Sequence, residues 1–347
     1  IMDDITPLRA RSAEVMARMA HLFPIEPAVR AFFGGSQPGA GPTGRRAQNG
    51  LDGAYVHYSL AADAAGPVTI TITDARGDTA ATLSSEPQPG PDLGAFAALA
   101  ELFGFSGGAP LLPKSKGLHR AIWNLLYPQP RLPQGEVLFG SLSQPPAPPG
   151  AYTVTLRVEG EVQTHQLQVL PDPRGSVPAA DFVAQREFLE DLGGVIEDLA
   201  DRMDDLRSVR TQAKGLAGLA AGAGLQETDM QRVNSAVDSL AGKLTGIEEE
   251  LQQTKSKSFY DPLDYPGKLT AELAFLYNTV AGSFSGAVDA RPTDQAVARF
   301  GELRPQVDDV TERLQRVLDT DLAAFNELIR SLGLEPVVLK KDKNLIS

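Results

Sequence analysis

Hydrophobic and polar residues alternate with a period of two across residues 51–174; across residues 175–335 the hydrophobic positions instead recur at spacings of three and four. In the first stretch Val56, Tyr58 and Leu60 alternate with Tyr55, His57 and Ser59, while Val68, Ile70 and Ile72 alternate with three threonines. Leu118, Ile122 and Trp123 mark a further segment. Tyr152, Val154, Leu156 and Val158 then alternate with Thr153, Thr155 and Arg157, and Leu167 and Val169 with Gln166 and Gln168. Such alternation predicts strands with one buried and one wet face. Turn residues punctuate them: Asp74–Asp78, where Gly77 supplies a positive φ, Pro148–Gly150, and Glu159–Glu161.

The second stretch carries four seams. Leu189, Leu192, Ile196, Leu199, Met203 and Leu206 form one; Met230, Val233, Val237, Leu240, Leu244, Ile247 and Leu251 another. Phe300, Leu303, Val307, Val310, Leu314 and Val317 form a third, and Leu269, Leu273, Leu276 and Val280 a shorter fourth. Seams of this spacing predict helices packed side by side. Thr228 and Gln231 read as a capping box, Pro266 as a first-turn residue and Thr293 as an N-cap. The tract Gly215–Leu225 is too rich in glycine to read as helix. Pro171 and Pro173 separate the two stretches, since each removes a backbone donor and biases its predecessor away from helix. The expected fold is therefore α+β and multidomain: an immunoglobulin-like antiparallel β-sandwich over 51–174, then an antiparallel four-helix bundle over 175–335.

Three segments stand outside these patterns. Residues 1–50 read as an exit segment and a Gly/Pro-rich linker, and residues 336–347 as a C-terminal tail. Residues 86–116 read as an insertion whose core places Phe96, Leu99, Leu102 and Phe103 at helical spacing, with Phe105 in the same ten-residue apolar patch. A helix this short is marginal by itself in water, so its aromatic face is expected to dock on a partner, either another part of the same protein or a second copy of the chain.

Charge and composition narrow the function. The formal net charge of −12 argues against a nucleic-acid or anionic-membrane binder. The chain has no cysteine, which rules out disulfides and zinc–thiolate sites, and no apolar tract is long enough to span a bilayer. "GAGPTG" at Gly39–Gly44 matches a dinucleotide fingerprint by letters but lacks the preceding strand and following helix. The four histidines, His21, His57, His119 and His165, show no metal-ligand spacing, so no metal and no cofactor is expected. The acids of the helices, among them Glu190, Glu197, Asp201, Asp204 and Glu248–Glu250, avoid the seams and read as a solvated face. Trp123, the sole tryptophan, reads as core rather than as a ligand platform. No catalytic residue set emerges.

"GLHRAIWNLLYP", the hairpin stretch Pro148–Arg174, "LRSVRTQ" and "SFYDPLDYPGKLTAELAFLYNTV" together resemble the C-terminal part of bacterial sortilin-like BNR-repeat β-propeller proteins, a glycosyl-hydrolase-like group. "IMDDITPLRA" and "AHLFPIEPAVR" resemble a propeller's exit strand and linker. The resemblance implies a fragment or processed product of a larger exported protein, secreted, periplasmic or on the cell surface, with an N-terminal β-propeller as its partner. It implies a non-catalytic module that braces the propeller or mediates assembly. The S-x-D-x-G-x-x-W boxes of such propellers are absent from this chain. Two alternatives stand beside this reading: a contributor to a glycosidase cleft lying mainly in the propeller, and a carbohydrate-binding module using Trp123 and the tyrosines.

Overall fold

The computed structural model describes residues 5–31, 53–87, 111–138, 140–222, 225–258, 260–282 and 289–339. Two short helices, α1 (Thr6–Arg9) and α2 (Ala13–Ala17), lead into two three-residue strands, β1 (Ala20–Leu22) and β2 (Ala28–Arg30). Then follow β3 (Ala54–Leu60), β4 (Val68–Thr73), β5 (Thr79–Ser84), β6 (Gly117–Trp123), β7 (Gly150–Val158) and β8 (Glu161–Pro171). The helices are α3 (Ala179–Gly222), α4 (Glu227–Leu251), α5 (Leu269–Ala281), α6 (Asp294–Arg316) and α7 (Leu322–Ser331), with a π-helical stretch, Val317–Asp321, joining the last two.

The strands form two curled sheets, ordered β1-β3-β6 and β2-β8-β7-β4-β5. The turns at Asp74–Asp78 and Glu159–Glu161 form as the sequence indicates, whereas Pro148–Gly150 runs into β7 with only a bend at Pro149. Gly77 has φ +90° and Asp74 Oδ1 accepts from the amides of Arg76 and Asp78. Glu159 and Gly160 both have positive φ, the geometry a two-residue hairpin between right-twisted strands requires. Val154, Ile70, Leu167 and their neighbours meet Leu22, Val56, Tyr58 and Trp123 in one core. A side chain helps join the sheets: the Gln163 amide accepts from Leu22 N at 2.9 Å and donates to Ala20 O at 2.8 Å, standing in for a strand neighbour of β1.

The expected immunoglobulin-like antiparallel sandwich followed by a four-helix bundle is not what forms. The larger sheet is mixed, because β2 runs parallel to β8, pairing Ala28 with Val169 and Arg30 with Pro171. Both sheets also take an edge strand from residues 20–30, where the sequence predicts no strand of either sheet, since three-residue strands are too short to show an alternation. The helical half is one long C-terminal helical region built on the 44-residue α3, not four matched helices. α5 spans only 13 residues, and Leu138 and Leu142 from the segment between β6 and β7 complete the core beside it. α3 runs on through the glycines at 215, 218 and 222 because Ala213, Leu216 and Ala220 are buried at helical spacing. The capping box at Thr228 does not form: α4 begins at Glu227, whose carboxylate accepts from Gln231 Nε2. Pro266 precedes α5, which begins at Leu269. Thr293 does cap α6, accepting from Ala296 N at 3.1 Å.

Candidate functional site

The features that set this chain apart lie where the sheets meet the helices. The chain crosses between them in residues 124–149, whose described residues form no helix and no named strand. It leaves the sheet core through Trp123, which is 1% exposed, donates from Nε1 to Leu126 O at 2.9 Å and packs edge-on against Tyr152. That placement removes Trp123 as a carbohydrate platform. Tyr127 follows, its hydroxyl donating to Asp74 Oδ2 at 2.9 Å and its ring lying 3.7 Å beneath the Arg186 guanidinium of α3. Burial holds the Tyr127 hydroxyl far above its ordinary pKa.

The segment then lies across α3. Pro130 rests over Gly193, where a Cβ would meet the proline ring and Tyr277 at ordinary contact distance. Arg131 pairs with Asp201 and, at 2.9 Å, with Asp204. Asn278 of α5 grips the far end: Oδ1 accepts from Ser143 N at 2.7 Å and Nδ2 donates to Ser141 O at 3.1 Å. From the β4–β5 turn Arg76 reaches Glu190, with one contact of 3.1 Å. The acidic face of α3, expected to be solvated only, is thus where arginines from the sheet side land.

Midway, Glu136 closes a turn with Pro133 and places its carboxylate beside Arg207. Oε2 is buried and has no hydrogen-bond partner; burial, only partly offset by Arg207, pushes its pKa up to about 8. Arg207 donates to Gln134 O at 2.7 Å and to Glu248 Oε1 at 2.7 Å. Glu248, expected on the wet face, is 6% exposed and also paired with Arg210. Burial opposes its ionisation, but the two guanidiniums outweigh that and hold its pKa below the ordinary value.

The tightest point is Arg30. It ends β2 beside Pro171, and its side chain is fully buried. Nε donates to Asp289 Oδ1 at 3.0 Å, one terminal nitrogen to Ala147 O at 2.8 Å and the other to Gln185 Oε1 at 3.1 Å. The guanidinium also lies 4.8 Å from the centre of the Phe182 ring. Gln185 in turn donates to Val280 O at 2.9 Å. One arginine therefore ties β2, the crossing segment, α3 and the chain just before α6. Burial lowers its pKa and Asp289 acts against that. A buried charge is tolerated only when paired and hydrogen-bonded, and here three of its groups find acceptors.

The interaction residues expected from the sequence, Phe96, Leu99, Leu102, Phe103 and Phe105, lie outside the described residues. The described part of their C-terminal flank is pinned rather than hinged. Leu112 is buried and donates to Ser84 O at 2.9 Å, Pro113 O accepts from Tyr58 Oη at 2.7 Å, and Lys114 O accepts from Ala64 N. The histidines are less scattered than they look in sequence. His21 sits opposite Ser59 across β1 and β3, and His165 lies near enough to help burial lower the His21 pKa. Among the described residues no group of three or more His, Asp or Glu is placed to hold a metal. An open groove of about 510 Å³ between α4, α5 and α6 is lined by Glu250, Lys268, Asp309 and Arg313, but Arg313 is already engaged by Glu250 at 2.9 Å and Asp309 at 3.1 Å.

No protein-family model, no curated protein and no solved structure matches the chain. Among the described residues no helix is long and apolar enough to cross a membrane.

Proposed function

We propose that the chain is a structural and interaction module in which a β unit and a helical unit are clamped together so that a load on one is carried by the other. The observation that carries this reading is the Arg30 junction: a fully buried guanidinium joins four segments instead of lining a cavity. The ion pairs of Arg76 and Arg131 on α3 support it from the rim. The finer reading is that the module is the C-terminal part of an exported β-propeller protein and braces that propeller. The resemblance of "GLHRAIWNLLYP" and the Pro148–Arg174 hairpin to such proteins supports it.

Two measurements test the reading. The reading frame upstream of Ile1 is expected to encode tandem S-x-D-x-G-x-x-W boxes; a frame without them overturns the propeller assignment. The purified chain is expected to leave chromogenic glycosides intact. Turnover that a single carboxylate substitution abolishes would overturn the non-catalytic assignment.

A further inference from the structure

The segment read as a C-terminal tail is held against the helices, as far as it is described. Past α7 the chain turns at Gly333, φ +72°, and runs back along the helices. Val337 N donates to Asn326 Oδ1 at 2.9 Å, and Val337 O accepts from Asn326 Nδ2 at 2.9 Å. On the next residue, Val338 N donates to Gln212 Oε1 at 3.1 Å, and Val338 O accepts from Gln212 Nε2 at 2.9 Å. Successive residues of an extended chain present their N–H and C=O groups to opposite sides. Asn326 on α7 therefore grips one edge and Gln212 on α3 the other, as two neighbouring strands would. Ser208 Oγ accepts from the same Gln212 nitrogen and orients the amide. Val337 enters the helical core, while Val338 is 63% exposed.

Everything this clamp reads is main chain plus one β-branched side chain. That is the chemistry by which a sheet edge takes up an extended peptide: backbone bonds give affinity, and a pocket for alternate side chains gives selectivity. The anchoring is slight beside the seam of α3, consisting of one buried valine and four hydrogen bonds to side chains. A segment so held opens locally at a lower free energy than the fold as a whole.

We propose that the groove between α3 and α7 is a binding site for an extended peptide with a small β-branched anchor, that Glu335–Leu339 occupies it as a tethered, exchangeable ligand, and that its exchange partner is the same segment of a second copy of the chain. An identical segment reproduces every contact, so swapping costs little beyond the loss of the tether. The tether itself favours the chain's own segment by an effective concentration on the order of millimolar. This inference is independent of the bracing role, and its readouts involve neither the upstream reading frame nor glycoside turnover.

The probe is a fluorescently labelled peptide of residues 334–340, LEPVVLK, titrated into the full chain and followed by anisotropy. Val337→Asp should eject the chain's own segment and raise peptide affinity at least tenfold over wild type, and adding Gln212→Ala should take most of that gain away. A Val337→Asp chain with wild-type circular dichroism that binds no more tightly than wild type overturns the proposal, as does a gain that Gln212→Ala leaves intact. Hydrogen exchange on the wild-type chain decides the matter even if that variant does not fold. The Val337 and Val338 amides should exchange at least a hundredfold faster than the Met203 amide of α3, with no dependence on low denaturant. Exchange at the Met203 rate, with the same denaturant dependence, would make the segment part of the global fold and overturn the proposal.

Discussion

Arg30 and Arg131 do the same chemistry in opposite surroundings. Each lies outside the helices, each carries a guanidinium to a carboxylate acceptor, and each ties its segment to the helices. The Arg30 side chain is fully buried, whereas that of Arg131 is 46% exposed and its partners Asp201 and Asp204 are more exposed still. Water competes with the Arg131 pairs and salt screens them, so they fix orientation more than they add stability. At Arg30 water is excluded, and removing either partner leaves an uncompensated buried charge or a set of orphaned acceptors. The junction's strength is therefore concentrated at one residue, and its geometry is spread over the acidic face of α3.

Breaking the buried side of this comparison should have the largest effect. Arg30→Ala is expected to lower stability by about 3–5 kcal/mol in a denaturant titration, because Asp289, Gln185 Oε1 and Ala147 O lose their donor together. A loss below about 1 kcal/mol would place Arg30 with the rim. Next comes Leu244→Ala in the α4 seam, expected to cost about 2–5 kcal/mol as a buried large-to-small change. If it cost no more than Glu249→Ala, an exposed site expected to stay within about 0.5 kcal/mol, the assigned face of α4 would be wrong.

Glu136 sharpens the comparison through pH. Its folded pKa of about 8 lies above the ordinary 4.5, so between those values the folded state holds a proton that the unfolded state has lost. Stability then falls as pH rises through that window, by up to about 1.4 kcal/mol per pH unit from this group. Glu248, held below its ordinary pKa by its hydrogen bonds to Arg210 and Arg207, stays ionised across the window. Glu136→Gln should flatten the slope; an unchanged slope would assign it to other groups. The smallest effect belongs to the rim: Arg131→Ala is expected to cost no more than about 1 kcal/mol, shrinking further in high salt. A loss as large as that of Arg30→Ala would erase the distinction.

Much of the local structure was legible in the sequence, and most of the junction was not. The β7–β8 hairpin follows from Tyr152, Val154, Leu156 and Val158 alternating with polar residues, and the seam of α3 from Leu189 through Leu206, because both patterns are local. The β1 and β2 strands carry three residues each, too few to alternate, and the parallel pairing of β2 with β8 joins positions far apart in sequence. For that reason the expected antiparallel sandwich gives way to a mixed sheet, closed by a parallel edge strand that no local pattern marks. Glu248 obeys the spacing of a surface residue and is buried only because Arg207 and Arg210 cover it from another helix. The α3 acids had one usable signal, their confinement to one helical face, but nothing local distinguishes an acid facing water from one facing Arg131. Arg30, between Val29 and Ala31 in a short apolar run, had the composition of a buried charge, and its partners lay from 117 to 259 residues away.

Unfolding followed by two probes tests the junction most directly. Trp123, the sole tryptophan, reports on the sheet core, and far-UV circular dichroism is dominated by the helices. In wild type the two signals should change together, with one midpoint, because the sheets and helices unfold as one cooperative unit. In Arg30→Ala they should separate, each half melting on its own. Separate transitions already in wild type, or coincident transitions with an unmoved midpoint in Arg30→Ala, would contradict the claim that this buried arginine joins the two halves.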